Sequence, residues 1–140
     1  MVRRIVFLSA ASIFMLIVSI ASADSQKEKA TESAALRWLA AVDEGRYADS
    51  WSEAATLFKK AIKIEQWEQS LQAVREPLGK PLSRKTIGRT YKTSLPGAPD
   101  GHYVILQFQT SFENKKTAIE TVTPMLDEDG DWRVSGYYIK

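Results

Sequence analysis

The apolar residues of this chain change their spacing once, between Pro77 and Leu82, and that switch constrains the fold more than any other feature. Before it they recur every three or four residues, as on one face of a helix; after it they alternate, as on one face of a strand. Ala35, Trp38, Leu39 and Val42 stand at i, i+3, i+4 and i+7, which predicts a first helix from about Lys29 to Glu44, stopped by Gly45. Ser50 and Glu53 have the spacing of a capping box, so a second helix is expected to start at Ser50, with Trp51, Ala54, Ala55, Phe58 and Ile62 as its apolar stripe. A third carries Ile64, Trp67, Leu71 and Val74 and should stop near Glu76, because Pro77 disfavours helix in the residue before it.

From Leu82 onward Thr, Val, Ile, Tyr and Phe are enriched. Strands are expected at about 83–95, 103–112, 117–126 and 132–139. They are separated by the turn-rich stretch Pro96–Gly101, by a turn at 113–116 and by Asp129-Gly130, a hairpin signal. Three adjacent hairpins make an antiparallel meander. Helices first and strands afterwards predict an α+β domain: about three N-terminal helices packed on a curved four-stranded sheet. A turn at 113–116 sets Glu120 opposite Gln109, and a turn at Asp129-Gly130 sets Arg133 opposite Leu126. That register gathers Gln107, Gln109, Glu120 and Arg133 on the less apolar face of the sheet, where a solvated or dimer-facing surface is the simple expectation.

Residues 1–23 have the three parts of a secretory leader: Arg3-Arg4, an uncharged run from Ile5 to Ile20, and Ala21-Ser22-Ala23 as a small-residue cleavage site. The uncharged run is 16 residues long, short of the roughly 20 a spanning helix needs. Cleavage after Ala23 is therefore favoured over a retained anchor. The expected product is exported, periplasmic or secreted, with no stable membrane insertion. Residues 24–29 read as a flexible polar N-terminus and 30–140 as a single domain. Arg3 and Arg4 are the leader's only charges, so residues 24–140 hold 17 basic and 17 acidic residues. A neutral domain is a poor nonspecific nucleic-acid binder. The chain has no cysteine, which excludes disulfides, thiolate metal sites and thiol nucleophiles.

Few groups suggest chemistry. Asp127, Glu128, Asp129 and Asp131 lack the glycine position and later glutamate of a calcium loop, so they read as a hairpin turn. His102 is the only histidine and follows Asp100-Gly101 in a loop. No metal site and no cofactor is expected. Trp38, Trp51 and Trp67 lie on the apolar stripes of their helices and read first as core. Where helices and sheet leave a pocket they would also line it, with Tyr91, Tyr137 and Tyr138 contributing from the sheet. Arg84, Lys85, Arg89 and Lys92 make the first strand basic, as do Lys59, Lys60 and Lys63 the second helical junction. Such residues protect a sheet edge from aggregation or meet an anionic envelope component.

Helices followed by a long curved meander resemble the cone of nuclear transport factor 2 and ketosteroid isomerase. A closer likeness runs through the second half: Thr93-Ser94-Leu95-Pro96-Gly97-Ala98-Pro99-Asp100-Gly101 before Tyr103, Thr110-Ser111-Phe112 before Lys115, Glu120 with Val122-Thr123, and Asp129-Gly130 before Trp132-Arg133-Val134 and Gly136-Tyr137. Together with Trp38-Leu39, Asp43, Gly45, Tyr47, Trp67 and Leu78-Gly79, these residues resemble bacterial domain-of-unknown-function family 4019. The resemblance implies a small exported domain with no assigned activity and no functional residues to carry over. The resulting expectation is a noncatalytic envelope module that binds a small ligand or a protein. The alternatives are a small cone-fold isomerase, dehydratase or hydrolase, which would need a buried carboxylate that the pattern does not place on the apolar face, leaving Glu120 of the less apolar face as the candidate, or a structural homodimer through the sheet.

Overall fold

A computed structural model of the chain describes residues 10–140. The elements are α1 (Ala10–Asp43), α2 (Tyr47–Ser52), α3 (Thr56–Ala61), α4 (Ile64–Arg75), a 3-10 turn (Glu76–Leu78), β1 (Pro81–Lys92), β2 (Tyr103–Phe112), β3 (Lys115–Leu126) and β4 (Trp132–Ile139). The strands form one antiparallel sheet in the order β1-β2-β3-β4. The fold is α+β, with the helices packed on one face of the meander.

α1 is longer than its apolar stripe predicts. No glycine or proline interrupts the chain between Ala10 and Gly45, so residues 24–29 continue the helix. The first nine residues of the expected leader lie outside the described residues. No helix among the described residues is long and apolar enough to cross a membrane. At its other end α1 stops at Gly45, whose φ is +77°. There Gly45 N–H donates to Val42 O (3.1 Å) and Arg46 N–H to Ala41 O (2.9 Å), the paired bonds of a Schellman cap.

The second helix does not begin at Ser50. The chain is already helical at Tyr47, leaves the helix after Ser52, and resumes as α3 at Thr56. Two long-range contacts impose the break. Ala55 N–H donates to Val134 O on β4 (2.8 Å), and Asp127 Oδ2 accepts from Thr56 N–H (2.9 Å) and Thr56 Oγ1–H (3.1 Å). Ser50 is buried inside α2, and its hydroxyl donates to Tyr47 O and accepts from Trp67 Nε1–H (2.9 Å). In α4 the buried stripe is Trp67, Leu71 and Arg75, whereas Val74 is exposed.

The core is formed by Ala35, Trp38, Leu39 and Val42 of α1, Phe58 of α3, Trp67 and Leu71 of α4, and Val104, Leu106, Phe108, Val122 and Val134 of the sheet. The β2–β3 register differs from the expected one by one residue at Glu120, and the β3–β4 register does so only next to its turn, from Pro124 to Leu126. The β2–β3 turn is two residues shorter than expected, with Phe112 opposite Lys115, and an irregularity between Thr110 and Phe112 then adds one back. Glu120 therefore faces Phe108, and Gln109 faces Ile119. Arg133 faces Met125, and a bulge near Thr123 sets the rest of the β3–β4 ladder, placing Val122 opposite Tyr137. A one-residue slip moves a side chain to the other face. Glu120 consequently points inward among the helices, while Gln107 and Gln109 remain exposed on the outer face.

Candidate functional site

The inward turn of Glu120 creates a buried ionic network. Its carboxylate is fully enclosed, at 0% exposure. Oε1 accepts from Arg84 Nε–H (2.8 Å) and from Thr110 Oγ1–H (2.5 Å), and Oε2 accepts from the Tyr137 hydroxyl. Arg84, on β1, spans to the end of α1: its Nη1–H and Nη2–H groups donate to Asp43 Oδ2 (2.8 Å) and Oδ1 (3.0 Å). Arg75, on α4, donates from Nη2 to Asp43 Oδ1 (2.7 Å) and from Nη1 to the Tyr137 oxygen (3.3 Å). Its guanidinium lies 4.9 Å from the centroid of the Phe112 ring. Two guanidinium cations thus balance two carboxylates, and the network joins two helices to all four strands.

The electrostatics follow from this balance. Burial alone would raise the Asp43 carboxyl, but hydrogen bonds from Arg84 and Arg75 outweigh it and hold the group below the usual carboxylate range. Burial, reinforced by the Glu120 charge, pushes the Tyr137 phenol up, so it stays a neutral donor. The Arg84 guanidinium is held charged against its own burial by Asp43 and Glu120. Because the folded-state value of Asp43 lies below the unfolded one, its ion pairs contribute fully above about pH 4 and are lost as pH falls through the folded value. Glu32, held down chiefly by its hydrogen bond from Arg89, adds in the same direction. The urea midpoint is therefore expected to drop as pH is lowered below about 4, and the drop should be shallower in Asp43→Asn. A midpoint flat through that range would contradict the charged network.

The interior aromatics are mutually engaged. Trp38 Nε1–H donates to Ser50 O (2.7 Å), and Trp51 Nε1–H donates to Ile62 O (2.9 Å). The Trp38 and Trp67 rings lie 6.0 Å apart, and Phe58 meets Trp67 edge-on at 4.8 Å. Tyr137 meets Trp38 edge-on at 5.3 Å. Tyr91 and Tyr138 are exposed. Tyr91 stacks on His102 at 5.9 Å and its hydroxyl bonds His102 Nδ1, while the Lys27 ammonium sits 4.7 Å over the Tyr91 ring.

Open space lies elsewhere, between α1 and the β3–β4 hairpin. Small residues of one α1 face, Ala30, Ser33 and Ala34, stand across from Gly130, Asp131 and Trp132, with Arg37 and Arg133 on opposite walls. This cavity measures about 590 Å³. A second of about 310 Å³ shares Ala34, Arg37, Trp132 and Arg133 with it and reaches Trp38, Arg46 and Glu53. The hairpin wall is braced by Arg133, which donates from Nη2 to Asp129 Oδ2 (2.5 Å) and Asp131 Oδ2 (3.3 Å) and lies 3.8 Å from Asp127 Oδ2. The acidic turn is thus organised around an arginine. Among the described residues no group of three or more His, Cys, Asp or Glu is placed to hold a metal ion.

The structure therefore separates the residues singled out from the sequence. Glu120 and Tyr137 meet inside, Trp38, Trp51 and Trp67 pack in or against the core, and Arg133 with the edge of Trp38 reaches the groove. Asp43 and Thr110 of the network stood out only as part of the family resemblance, and Arg75 of the network and Arg37 of the groove did not stand out at all. For Arg75 a signal existed, since it continues the Trp67–Leu71 stripe at i+4.

No curated protein and no solved structure is found to be similar to the chain. A family model described as "Protein of unknown function (DUF4019)" matches residues 34–137, from the C-terminal part of α1 into β4, and the chain belongs to that family.

Proposed function

We propose that the folded domain is a noncatalytic binding module of the cell envelope, and that its ligand or partner enters the groove between α1 and the β3–β4 hairpin. The observation that carries this reading is the location of usable space. Glu120, the carboxylate enclosed by helices and sheet, has its oxygens occupied by Arg84, Thr110 and Tyr137, while the groove presents Trp132 and three arginines to solvent. A general acid or base must reach the proton it transfers, and Glu120 reaches only its own partners. The envelope part of the reading rests on the leader pattern of residues 1–23.

The small-enzyme reading retains one favouring observation, the same Glu120 set beside a phenol in a low-dielectric interior. A panel of isomerase, esterase and phosphatase substrates separates the two. Wild type, Glu120→Gln and His102→Ala are expected to show the same background rates. Turnover in wild type that is lost in either variant would overturn the noncatalytic reading. Export has its own check: protein recovered from the envelope of a bacterial host is expected to begin at Asp24, and an intact mass that still includes residues 1–23 would contradict cleavage.

A further inference from the structure

The groove also carries a sign. Of the described arginines, Arg46 pairs with Glu44 and Asp49, Arg75 with Asp43, Arg84 with Asp43 and Glu120, Arg89 with Glu32, and Arg133 with the acidic turn. Arg37 alone among them has no carboxylate at ion-pair distance, and it lines both halves of the groove. The aspartates of the turn pair with Arg133; Glu53 and Asp131 also border the groove, but neither reaches ion-pair distance of Arg37. A ligand that covered Arg37 without supplying an acceptor would strip water from a cation and give nothing back, which is costly. A ligand bringing an oxyanion would replace that water with charge-assisted hydrogen bonds, for which the planar guanidinium fork is well shaped. Ser33, one turn before Arg37 on the same α1 face, adds a hydroxyl to the same wall.

Resting on the groove as the binding site, we infer that it takes a small soluble molecule bearing an oxyanion, a carboxylate or a phosphate, and that Arg37 is the residue that selects for it. Arg133 borders the same space, but its guanidinium is tied into the turn that shapes the wall. Arg37 is exposed and outside the core, so its replacement leaves the fold intact.

The test is amide chemical-shift mapping of the protein as recovered from its host, with three probes: glucuronate, inorganic phosphate and neutral glucose. Glucuronate, phosphate or both are expected to move the amides of 30–37 and 130–134, and glucose to leave them in place; which anion binds more tightly tells carboxylate from phosphate. Arg37→Gln should weaken the anion's binding about tenfold or more, and Arg37→Lys should restore part of it. Anion shifts no larger than those from glucose, shifts mapping outside the groove, or equal affinity in Arg37→Gln would each overturn the inference. Groove shifts from glucose equal to those from glucuronate would end the oxyanion claim while leaving the groove as a binding site. Absence of shifts from every probe would also end the oxyanion claim. The groove reading is then judged separately, by whether the small-molecule fraction of an envelope extract raises the Tm.

Discussion

Arg84→Met is expected to lower the unfolding free energy by about 3–5 kcal/mol, because it leaves Glu120 as an uncompensated charge in the interior. Arg84 is the only direct ionic partner of Glu120 among the described residues, and it also holds Asp43 through two hydrogen bonds. The loss should appear as a lower urea midpoint with little change in slope. A second variant distinguishes charge from packing. In Arg84→Met/Glu120→Leu both charges are gone and Asp43 still pairs with Arg75, so the double variant should be more stable than Arg84→Met alone. Removing both members of a buried pair costs less than stranding one. A double variant no better than the single one would mean that the methylenes of Arg84, and not its charge, matter here.

Trp67→Ala is expected to cost about 3–5 kcal/mol, a large share of the roughly 5–15 kcal/mol that holds an ordinary domain together. The indole is 6% exposed. It meets Trp38 and Phe58, and its N–H is bound to the Ser50 hydroxyl. Truncation would remove the packing and leave Ser50 with an empty acceptor between α2 and α4. Trp67→Phe keeps much of the volume and should recover part of the loss. A midpoint shift equivalent to less than about 1 kcal/mol for Trp67→Ala would place Trp67 outside the core.

Local patterns made much of the fold legible. The α1 stripe through Val42, the Gly45 stop, the end of α4 before Pro77, and the bounds of β2 and β4 each depend on residues close in sequence, and each is found where periodicity or turn chemistry puts it. The misreadings share a cause in distant partners. Ser50 has the look of a helix start, yet the buried indole of Trp67 claims its hydroxyl, and the cap for α3 comes from Asp127, 71 residues away. The face of Glu120 turns on a single residue of register. A two-residue turn followed by an irregularity near Ser111 cannot be told from a four-residue turn by counting alternation, yet the difference moves a carboxylate from the surface to the centre of the domain. Arg84 reads as an edge-strand charge because its two acceptors lie on α1 and β3. Arg37, in turn, reads as one more solvated helix residue, and only the fold shows that a groove opens beside it.

The central claim is that ligands use the groove and not the filled interior. The most direct measurement is amide hydrogen exchange, read by mass spectrometry on the 24–140 protein with and without the small-molecule fraction of an envelope extract. Added protection is expected in the segments holding Ala30–Arg37 and Gly130–Val134, with exchange around Arg75, Arg84 and Glu120 unchanged. Protection centred on Arg75, Arg84 and Glu120, with the groove segments unaffected, would contradict it.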